Sequence, residues 1–183
     1  MYSLGASGRL PIYPEEGGQD EEDGRRVLGD DLEEAFLKSI ISSGFKLPKK
    51  NVLISIGGEE NRYKFLDSIK RLKQLGFNIF ATEHTHKFLE EQGIQSTMVY
   101  KVHNPHKKTN ILNLLAEKKL DLVINIPKEY EQQQLDDEYK IRRWAVDFSV
   151  PLLTNLQIAK LFIDSICKKR IEELKIKSWD EYS

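Results

Sequence analysis

Two threonines, Thr82 and Thr85, are the residues of this chain best spaced to bind an anion. They stand three positions apart, with Glu83 and His84 between them, where a helix is predicted to begin after a short apolar segment. The free N–H groups and the dipole at a helix N-terminus favour negative charge, and two hydroxyls can face the same point. The alternative is that a threonine only caps the helix. The spacing therefore indicates either an anion site or a plain helix cap.

Polar and positively charged residues also follow the other predicted strands. They are Arg62 and Lys64 after the first strand, Lys101 at the end of the third, Asn125 at the end of the fourth and Asn155 after the fifth. In a parallel sheet the carboxyl ends of the strands meet at one edge, and ligands bind beyond them. Hydroxyls, amides and cations gathered at that edge predict a pocket for a phosphate or a carboxylate.

Two adjacent arginines, Arg142 and Arg143, are weaker candidates for the same pocket. An arginine can bind an anion through two parallel hydrogen bonds. The alternatives are a salt bridge to Asp136 or Asp137, or a solvated helix face. We expect these arginines to brace the pocket.

A metal site is not favoured by the histidines of this sequence. They form the pairs His84/His86 and His103/His106, without an accompanying carboxylate cluster. The single cysteine, Cys167, cannot form a cysteine zinc site and is predicted to pack on a helix. Glycine-rich dinucleotide and P-loop motifs are absent, as is a nucleophile elbow. We therefore expect no metal, no cofactor and no catalytic residue.

Five short apolar segments must position these residues. Strands are predicted at 50–56, 77–81, 97–102, 120–126 and 151–153, and a polar loop at 127–137. Apolar stripes at helical spacing predict helices before, between and after the strands. Strands that are apolar throughout, separated by amphipathic helices, indicate a parallel sheet covered on both faces. The expected fold class is α/β, a three-layer fold with a five-stranded parallel sheet and helices on both faces.

Net charge, apolar runs and the composition of the two ends limit the classes of partner and indicate the domain organisation. A net charge of −1 argues against a nucleic-acid partner, and no apolar run approaches the length of a membrane helix. Residues 1–27 are acidic and glycine-rich, and we predict a disordered leader, with an acidic interaction tail as the alternative. The folded domain is predicted at 28–170, followed by a charged tail at 171–183.

Five segments carry a family resemblance: GFKLP at 44–48, GFNIFATEHT at 76–85, LVIN at 122–125, IRRWAVD at 141–147 and PLLTN at 151–155. In this order they resemble the methylglyoxal-synthase-like domain, the C-terminal allosteric domain of the carbamoyl-phosphate synthetase large subunit. The resemblance implies a flavodoxin-like architecture with a regulatory site at the carboxyl edge of the sheet. It also implies that Thr82 and Thr85 hold the phosphate or carboxylate of an effector.

The same resemblance implies roles for other candidates and argues against catalysis. Lys101 and Arg62 match basic positions of the family, and Asn125 matches the asparagine that ends the fourth strand. Methylglyoxal synthase itself uses an aspartate after the third strand, where residues 102–108 contain no carboxylate. A second family aspartate is replaced by Lys128, which is itself a weaker candidate for binding the effector. We therefore expect a non-catalytic, regulatory part of an ATP-dependent ligase, carbamoyl-phosphate synthetase.

The effector and the pathway stay open. The family members that bind N-acetylglutamate have a tryptophan where this chain has Lys101, which favours a phosphate-bearing effector such as a uridine nucleotide. Segments 154–157 and 160–162 nevertheless look like the urea-cycle type, whereas segment 147–151 looks like the pyrimidine type. A methylglyoxal synthase-type lyase and an interaction module remain alternatives. The expected partners are the other synthetase domains, with homo-oligomerisation open, in the cytoplasm or alternatively in the mitochondrial matrix.

Overall fold

The computed structural model describes residues 2–5, 26–100, 110–128, 132–170, 172 and 174. The chain divides into two compact units. One comprises Met1–Lys46 with Asp164–Ser183, and the other comprises Leu47–Ile163. The candidate residues described by the structure lie in the second unit, which holds the parallel sheet.

The first unit contains a small antiparallel sheet and one helix. Strand β1 (Tyr2–Gly5) pairs with strand β2 (Arg26–Gly29), and helix α1 (Leu32–Ser42) follows. These two strands were not predicted, because the acidic segment between them dominates the local composition. The rest of the predicted disordered leader, like most of the tail at 171–183, lies outside the described residues.

Helix α1 begins with a reciprocal set of hydrogen bonds. The Asp31 carboxylate accepts from the Glu34 N–H at 2.9 Å, and the Glu34 carboxylate accepts from the Asp30 N–H at 3.1 Å. Two backbone donors that the helix leaves free are thus satisfied. Lys169 pairs with Asp31 at 2.6 Å, and Lys168 pairs with Glu33.

The second unit alternates strands with helices throughout. Its elements are β3 (Asn51–Ile56), α2 (Glu59–Gln74), β4 (Asn78–Thr82), α3 (Glu83–Glu91), β5 (Thr97–Val99), α4 (Ile111–Ala116), β6 (Leu122–Ile126), α5 (Gln132–Asp147) and β7 (Leu152–Leu153). Helix α6 (Leu156–Lys168) begins in this unit. The strands lie in the order β5-β4-β3-β6-β7 and every pair is parallel. The predicted α/β class with a five-stranded parallel sheet is confirmed.

The register of the central strands sets the position of their polar residues. Leu53 of β3 lies opposite Val123 of β6, and both belong to a buried cluster formed with helices α4 and α5. Because side chains alternate between the two faces of a strand, residues two positions further on return to the same face. Ser55 and Asn125 are those residues, and they are also register partners.

Two predicted boundaries need correction. The polar loop predicted at 127–137 is too long, because α5 already begins at Gln132. Glutamine, leucine and glutamate are good helix formers, so this polar run continues into a helix. The third strand ends at Val99, and Tyr100 then forms a single bridge to Asn110. Residues 101–109, which include Lys101, lie outside the described residues.

The lengths and compositions of the helices show whether any of them could cross a membrane. Within the part of the chain that the structure describes, none combines the length and the apolar character needed to cross a bilayer.

Candidate functional site

Three buried hydroxyls lie together at the carboxyl edge of the sheet, and we call Ser55, Thr82 and Thr85 the hydroxyl cluster. The exposed fractions of these residues are 4%, 3% and 1% respectively. Thr82 Oγ1 donates to Ser55 Oγ at 3.2 Å and lies 3.5 Å from Thr85 Oγ1. The cluster joins the ends of neighbouring strands β3 and β4 to the first turn of α3.

The backbone of Ile56 ties Thr85 to the end of β3. The Thr85 hydroxyl oxygen accepts from the Ile56 N–H at 3.1 Å and lies 3.5 Å from the Ile56 carbonyl oxygen. Hydrogen bonds between oxygen atoms are commonly about 2.7–2.8 Å long, so those between the hydroxyls are weak. These hydroxyls can therefore turn their protons toward an incoming oxygen atom without breaking a strong internal bond.

The hydroxyl of Thr82 does not cap the helix that it precedes. Thr82 occupies the N-cap position of α3 with an extended backbone, yet its side chain makes no capping hydrogen bond. Its Oγ1 instead contacts Ser55 and Thr85. The alternative that Thr82 serves as a plain helix cap is therefore wrong, and its hydroxyl belongs to the cluster.

Arg62 brings a positive charge to the same carbonyl group that Thr85 approaches. Its Nη1 atom donates to the Ile56 carbonyl at 3.4 Å, and its Cζ atom lies 5.8 Å from the centroid of the Phe88 ring. The Nε atom is buried and has no hydrogen-bond partner among the described residues. An arginine held in this way can direct its remaining N–H groups to an anion.

The loop after β3 packs closely against the residues after β6. The Gly57 N–H donates to the Ile126 carbonyl at 2.8 Å. A Cβ atom at Gly57 would lie 2.4 Å from the Lys128 backbone nitrogen, so only glycine fits at this position. The close approach places the backbone of Lys128, a predicted candidate, beside this loop. Its side chain is exposed.

The two predicted asparagines, Asn125 and Asn155, lie in different environments. Asn125 is fully buried, opposite Ser55 in the register. Asn155 is exposed and caps α6, its Oδ1 accepting from the Ile158 N–H at 3.0 Å. The structure thus groups Thr82, Thr85 and Arg62, with Asn125 adjacent by register.

The remaining charged candidates described by the structure sit on helix surfaces. Lys64 is exposed and pairs with Glu60 at 2.5 Å, and Arg143 is exposed and pairs with Asp147 at 3.1 Å. Arg142 is half-buried. Among the described residues, Lys64, Arg142 and Arg143 make no hydrogen bond to the hydroxyl cluster, so Arg62 is the cation that the geometry favours.

Sequence reasoning missed Ser55. A signal was present, since this serine interrupts an otherwise apolar run, Val52–Ile56, one residue before the strand ends. A hydroxyl in a strand that is apolar on both faces needs a polar partner. That partner, Thr82, comes from the neighbouring strand and is visible only in the folded sheet.

In the ranges that the structure covers, no group of three or more histidine, cysteine, aspartate or glutamate residues could hold an ion. His86 Nδ1 lies 2.7 Å from Ser96 Oγ. His103 and His106 fall within 101–109 and so outside the described residues.

Residues 64–154, about half of the chain, match the family model described as MGS-like domain. The chain contains an MGS-like domain. The resemblance predicted from the sequence segments is thereby confirmed. Thr82, Thr85, Asn125 and Lys128 fall within the matched range, whereas Arg62 and Asn155 lie just outside it.

Curated relatives of this MGS-like domain are large proteins. The chain is 40% identical over 150 residues to "Multifunctional protein URA2" of Saccharomyces cerevisiae, covering 78% of this chain and 7% of that protein. It is 38% identical over 143 residues to "Multifunctional protein pyr1-3" of Dictyostelium discoideum, covering 76% of this chain and 6% of that protein.

A mitochondrial relative is similarly close. The chain is 37% identical over 161 residues to the human "Carbamoyl-phosphate synthase [ammonia], mitochondrial", covering 85% of this chain and 10% of that protein. The chain thus spans only 6–10% of the lengths of these relatives. Among solved structures it resembles a methylglyoxal synthase from Elizabethkingia anophelis, with a TM-score of 0.48, 17% identity, and coverage of 74% of this chain and 91% of that one.

Proposed function

We propose that this MGS-like domain is the effector-binding allosteric part of a carbamoyl-phosphate synthetase of the pyrimidine or the arginine and urea pathway. It binds an anionic small molecule at the carboxyl edge of the sheet, and the favoured effector is a uridine nucleotide. The relatives support this role, because two are named multifunctional proteins and one is named a carbamoyl-phosphate synthase.

The observation that carries this proposal is the hydroxyl cluster beside an uncapped helix start. Thr82 and Thr85 are buried, lie 3.5 Å apart and leave the first turn of α3 without a side-chain cap from Thr82. The free N–H groups of a first helical turn carry partial positive charge. A phosphate or carboxylate group placed there would receive donors from both the helix and the hydroxyls.

Arg62 supplies the full charge that a dianionic phosphate needs. Its guanidinium shares the Ile56 carbonyl with the hydroxyl of Thr85 and has a free Nε–H among the described residues. A planar guanidinium can present two parallel donors to phosphate oxygens. A phosphate dianion has enough oxygen atoms to accept from the guanidinium, the hydroxyls and the helix N–H groups together, which supports a phosphate-bearing effector.

Regulation follows if the effector binds two states of the larger synthetase unequally. A ligand can shift an equilibrium only by its difference in affinity for the two states, and the coupling is commonly about 1–3 kcal/mol. In the proposed role the chain contributes binding energy and no chemical step. The synthetase activity belongs to the other domains of the larger protein.

Isothermal titration of the full chain with UMP, N-acetylglutamate and inorganic phosphate tests the proposal. We expect saturable binding of UMP. Thr85→Val should weaken it by about tenfold or more, since a lost hydrogen bond to a charged group costs about 1.5–3 kcal/mol. Thr85→Ser keeps the hydroxyl and should retain most of the affinity. Thr97→Val is the matched control, because Thr97 is exposed at the start of β5.

The other outcomes separate the alternatives. Binding of N-acetylglutamate alone would keep the site but replace the proposed effector. Production of methylglyoxal from dihydroxyacetone phosphate would replace the regulatory role with a lyase activity. Equal affinity of the wild type and Thr85→Val for UMP, or the absence of any binding, would overturn the proposed site.

A further inference from the structure

The amino edge of the same sheet is basic. Lys49 and Lys50 precede β3, and Lys118 and Lys119 lie between α4 and β6. All four residues are exposed, and we call them the lysine edge. They lie where the strands begin, which is the opposite edge from the hydroxyl cluster.

Hydrogen bonds through two residues hold the lysine pairs side by side. The Asp121 carboxylate accepts from the N–H groups of Lys50 and Asn51 at 2.8 and 2.7 Å. The Asn51 side-chain amide donates to the Lys119 carbonyl at 2.7 Å. The two lysine pairs are therefore fixed to a rigid part of the sheet and do not depend on a loose loop for their proximity.

The four lysines of this edge outnumber the two carboxylates beside them, Glu117 and Asp121. Lys119 pairs with Glu117 at 2.6 Å. Lys49, Lys50 and Lys118 form no ion pair within the part of the chain that the structure describes. The nearby Asp121 carboxylate keeps its negative charge, and one of its oxygens accepts from the two backbone N–H groups. The exposed ammonium groups of Lys49, Lys50 and Lys118 are therefore available to an acidic partner.

Lys118 also has an unfavourable backbone conformation. Its φ is 52°, and it follows α4 at a position where α2 and α3 are followed by Gly76 and Gly93, with φ of 86° and 70°. Glycine is the usual residue there, because a Cβ atom disfavours left-handed backbone. A lysine near the end of α4 complements the helix dipole. Lys119 is already near the end of α4 and can complement its dipole. Lys49 and Lys50 precede a strand, so the helix dipole does not account for them.

We propose that the lysine edge is an interaction surface for an acidic polypeptide segment outside this domain. All four residues of the lysine edge carry ammonium groups, whereas nucleic-acid sites commonly use arginine forks and aromatic rings to read phosphates and bases. The relatives are many times longer than this chain, so their MGS-like regions have further polypeptide as neighbours. This inference does not depend on the identity of the effector.

Fluorescence anisotropy with a labelled deca-glutamate peptide at low salt tests the surface. The full chain should bind the peptide, and Lys49→Glu/Lys118→Glu should weaken binding by about tenfold, with affinity falling as salt rises. The matched control is Lys87→Glu/Lys160→Glu, which reverses two exposed lysines on α3 and α6. The control should change affinity by less than about twofold.

A second variant separates binding from folding. Lys118→Gly relieves the left-handed backbone, so it should raise the midpoint of thermal unfolding while weakening peptide binding by about threefold. The proposal is overturned if the wild type does not bind the peptide or if the control pair weakens binding as much as the test pair. Tighter binding of a random-sequence DNA duplex than of the peptide would overturn it in favour of nucleic acid.

Discussion

At the amino edge of the five-stranded sheet, one Asp121 oxygen accepts backbone hydrogen bonds of 2.7 and 2.8 Å. At the carboxyl edge, the hydroxyl oxygens of Thr82 and Thr85 lie 3.5 Å apart. Both edges belong to the same strands, and both carry polar residues. The amino edge uses short, charge-assisted bonds between side chains and backbone, whereas the carboxyl edge uses long contacts between neutral hydroxyls.

The contrast separates polar groups that stabilise the fold from polar groups that can still bind a ligand. A charged acceptor bonded to backbone N–H groups fixes the relative position of the strands. Weakly bonded hydroxyls leave donors and acceptors that a ligand can use. We expect loss of the Asp121 carboxylate to lower the free energy of unfolding, and substitutions in the hydroxyl cluster to lower ligand affinity more than stability.

The largest expected effect is on folding at the amino edge. Asp121→Ala should lower the free energy of unfolding by about 2–3 kcal/mol, because two backbone donors lose a charged acceptor. Urea denaturation monitored by circular dichroism measures it. Asp67→Ala is the control, because Asp67 is exposed and its ion pair with Lys70 is long, at 3.8 Å. Removing this carboxylate should lower the free energy of unfolding by less than about 0.5 kcal/mol. Equal losses in both variants would contradict the contrast.

Ser55→Ala tests the opposite edge. It removes the acceptor of the Thr82 hydroxyl, so UMP affinity should fall by about fivefold, while the free energy of unfolding falls by only about 1 kcal/mol. Calorimetric titration and urea denaturation of the same samples provide both values. Ser68→Ala is the matched control, because Ser68 is also buried but lies on α2. A loss of stability without a loss of affinity would break the comparison.

Arg62→Lys separates charge from geometry at the carboxyl edge. The lysine keeps one positive charge but loses the Nε–H and the planar fork, so UMP affinity should fall by about threefold. Arg62→Gln removes the charge as well and should weaken binding further. If Arg62→Lys binds UMP as tightly as the wild type does, the positive charge alone explains the contribution of Arg62 to affinity.

The smallest expected effect is on stability at the exposed start of α1. The ion pairs there are a reference for the small contribution of exposed charges, with which the polar groups at both edges of the sheet can be compared. Hydrogen bonding from Lys169 holds the pKa of the Asp31 carboxyl below its usual value. The resulting stabilisation is present above about pH 4 and is lost as the pH falls through the lowered pKa. Asp31→Asn keeps a good helix cap but removes the charge.

This variant should be less stable than the wild type by under about 1 kcal/mol near neutral pH. The difference should shrink as the pH falls and vanish once the pH is below the lowered pKa of Asp31, because the wild-type carboxyl is then protonated as well. Thermal unfolding midpoints across about pH 2–8 measure it. A difference that persists at the acid end would mean that the introduced asparagine fails as a helix cap, and that the charge of Asp31 contributes little.

Much of the fold could be predicted because its elements are locally encoded. The buried segments Val52–Ile56 and Leu122–Ile126 are apolar except for Ser55 and Asn125, a pattern typical of parallel strands covered on both faces. The start of α5 was missed because a polar segment such as 132–137 carries no apolar stripe. Strands β1 and β2 were missed because a two-stranded pair depends on its partner more than on its own pattern.

The candidate site could be predicted only in part. Thr82 and Thr85 were found because their spacing at a helix start is a local feature. Ser55 was not, since its partner is brought beside it by the register of β3 and β4. Asn155 follows a strand as predicted, but its side chain caps α6, a local competition that strand position alone does not reveal.

The sequence by itself determined the alternation of elements, the α/β class and the family, because hydrophobic periodicity and short motifs act over a few residues. Only the tertiary structure decided which polar groups meet. The hydroxyl cluster and its contact with the Ile56 backbone join residues 27 and 29 positions apart, and the Asp121 bonds join residues 70 and 71 positions apart. Such contacts depend on strand order and register, which are set by packing of the whole sheet.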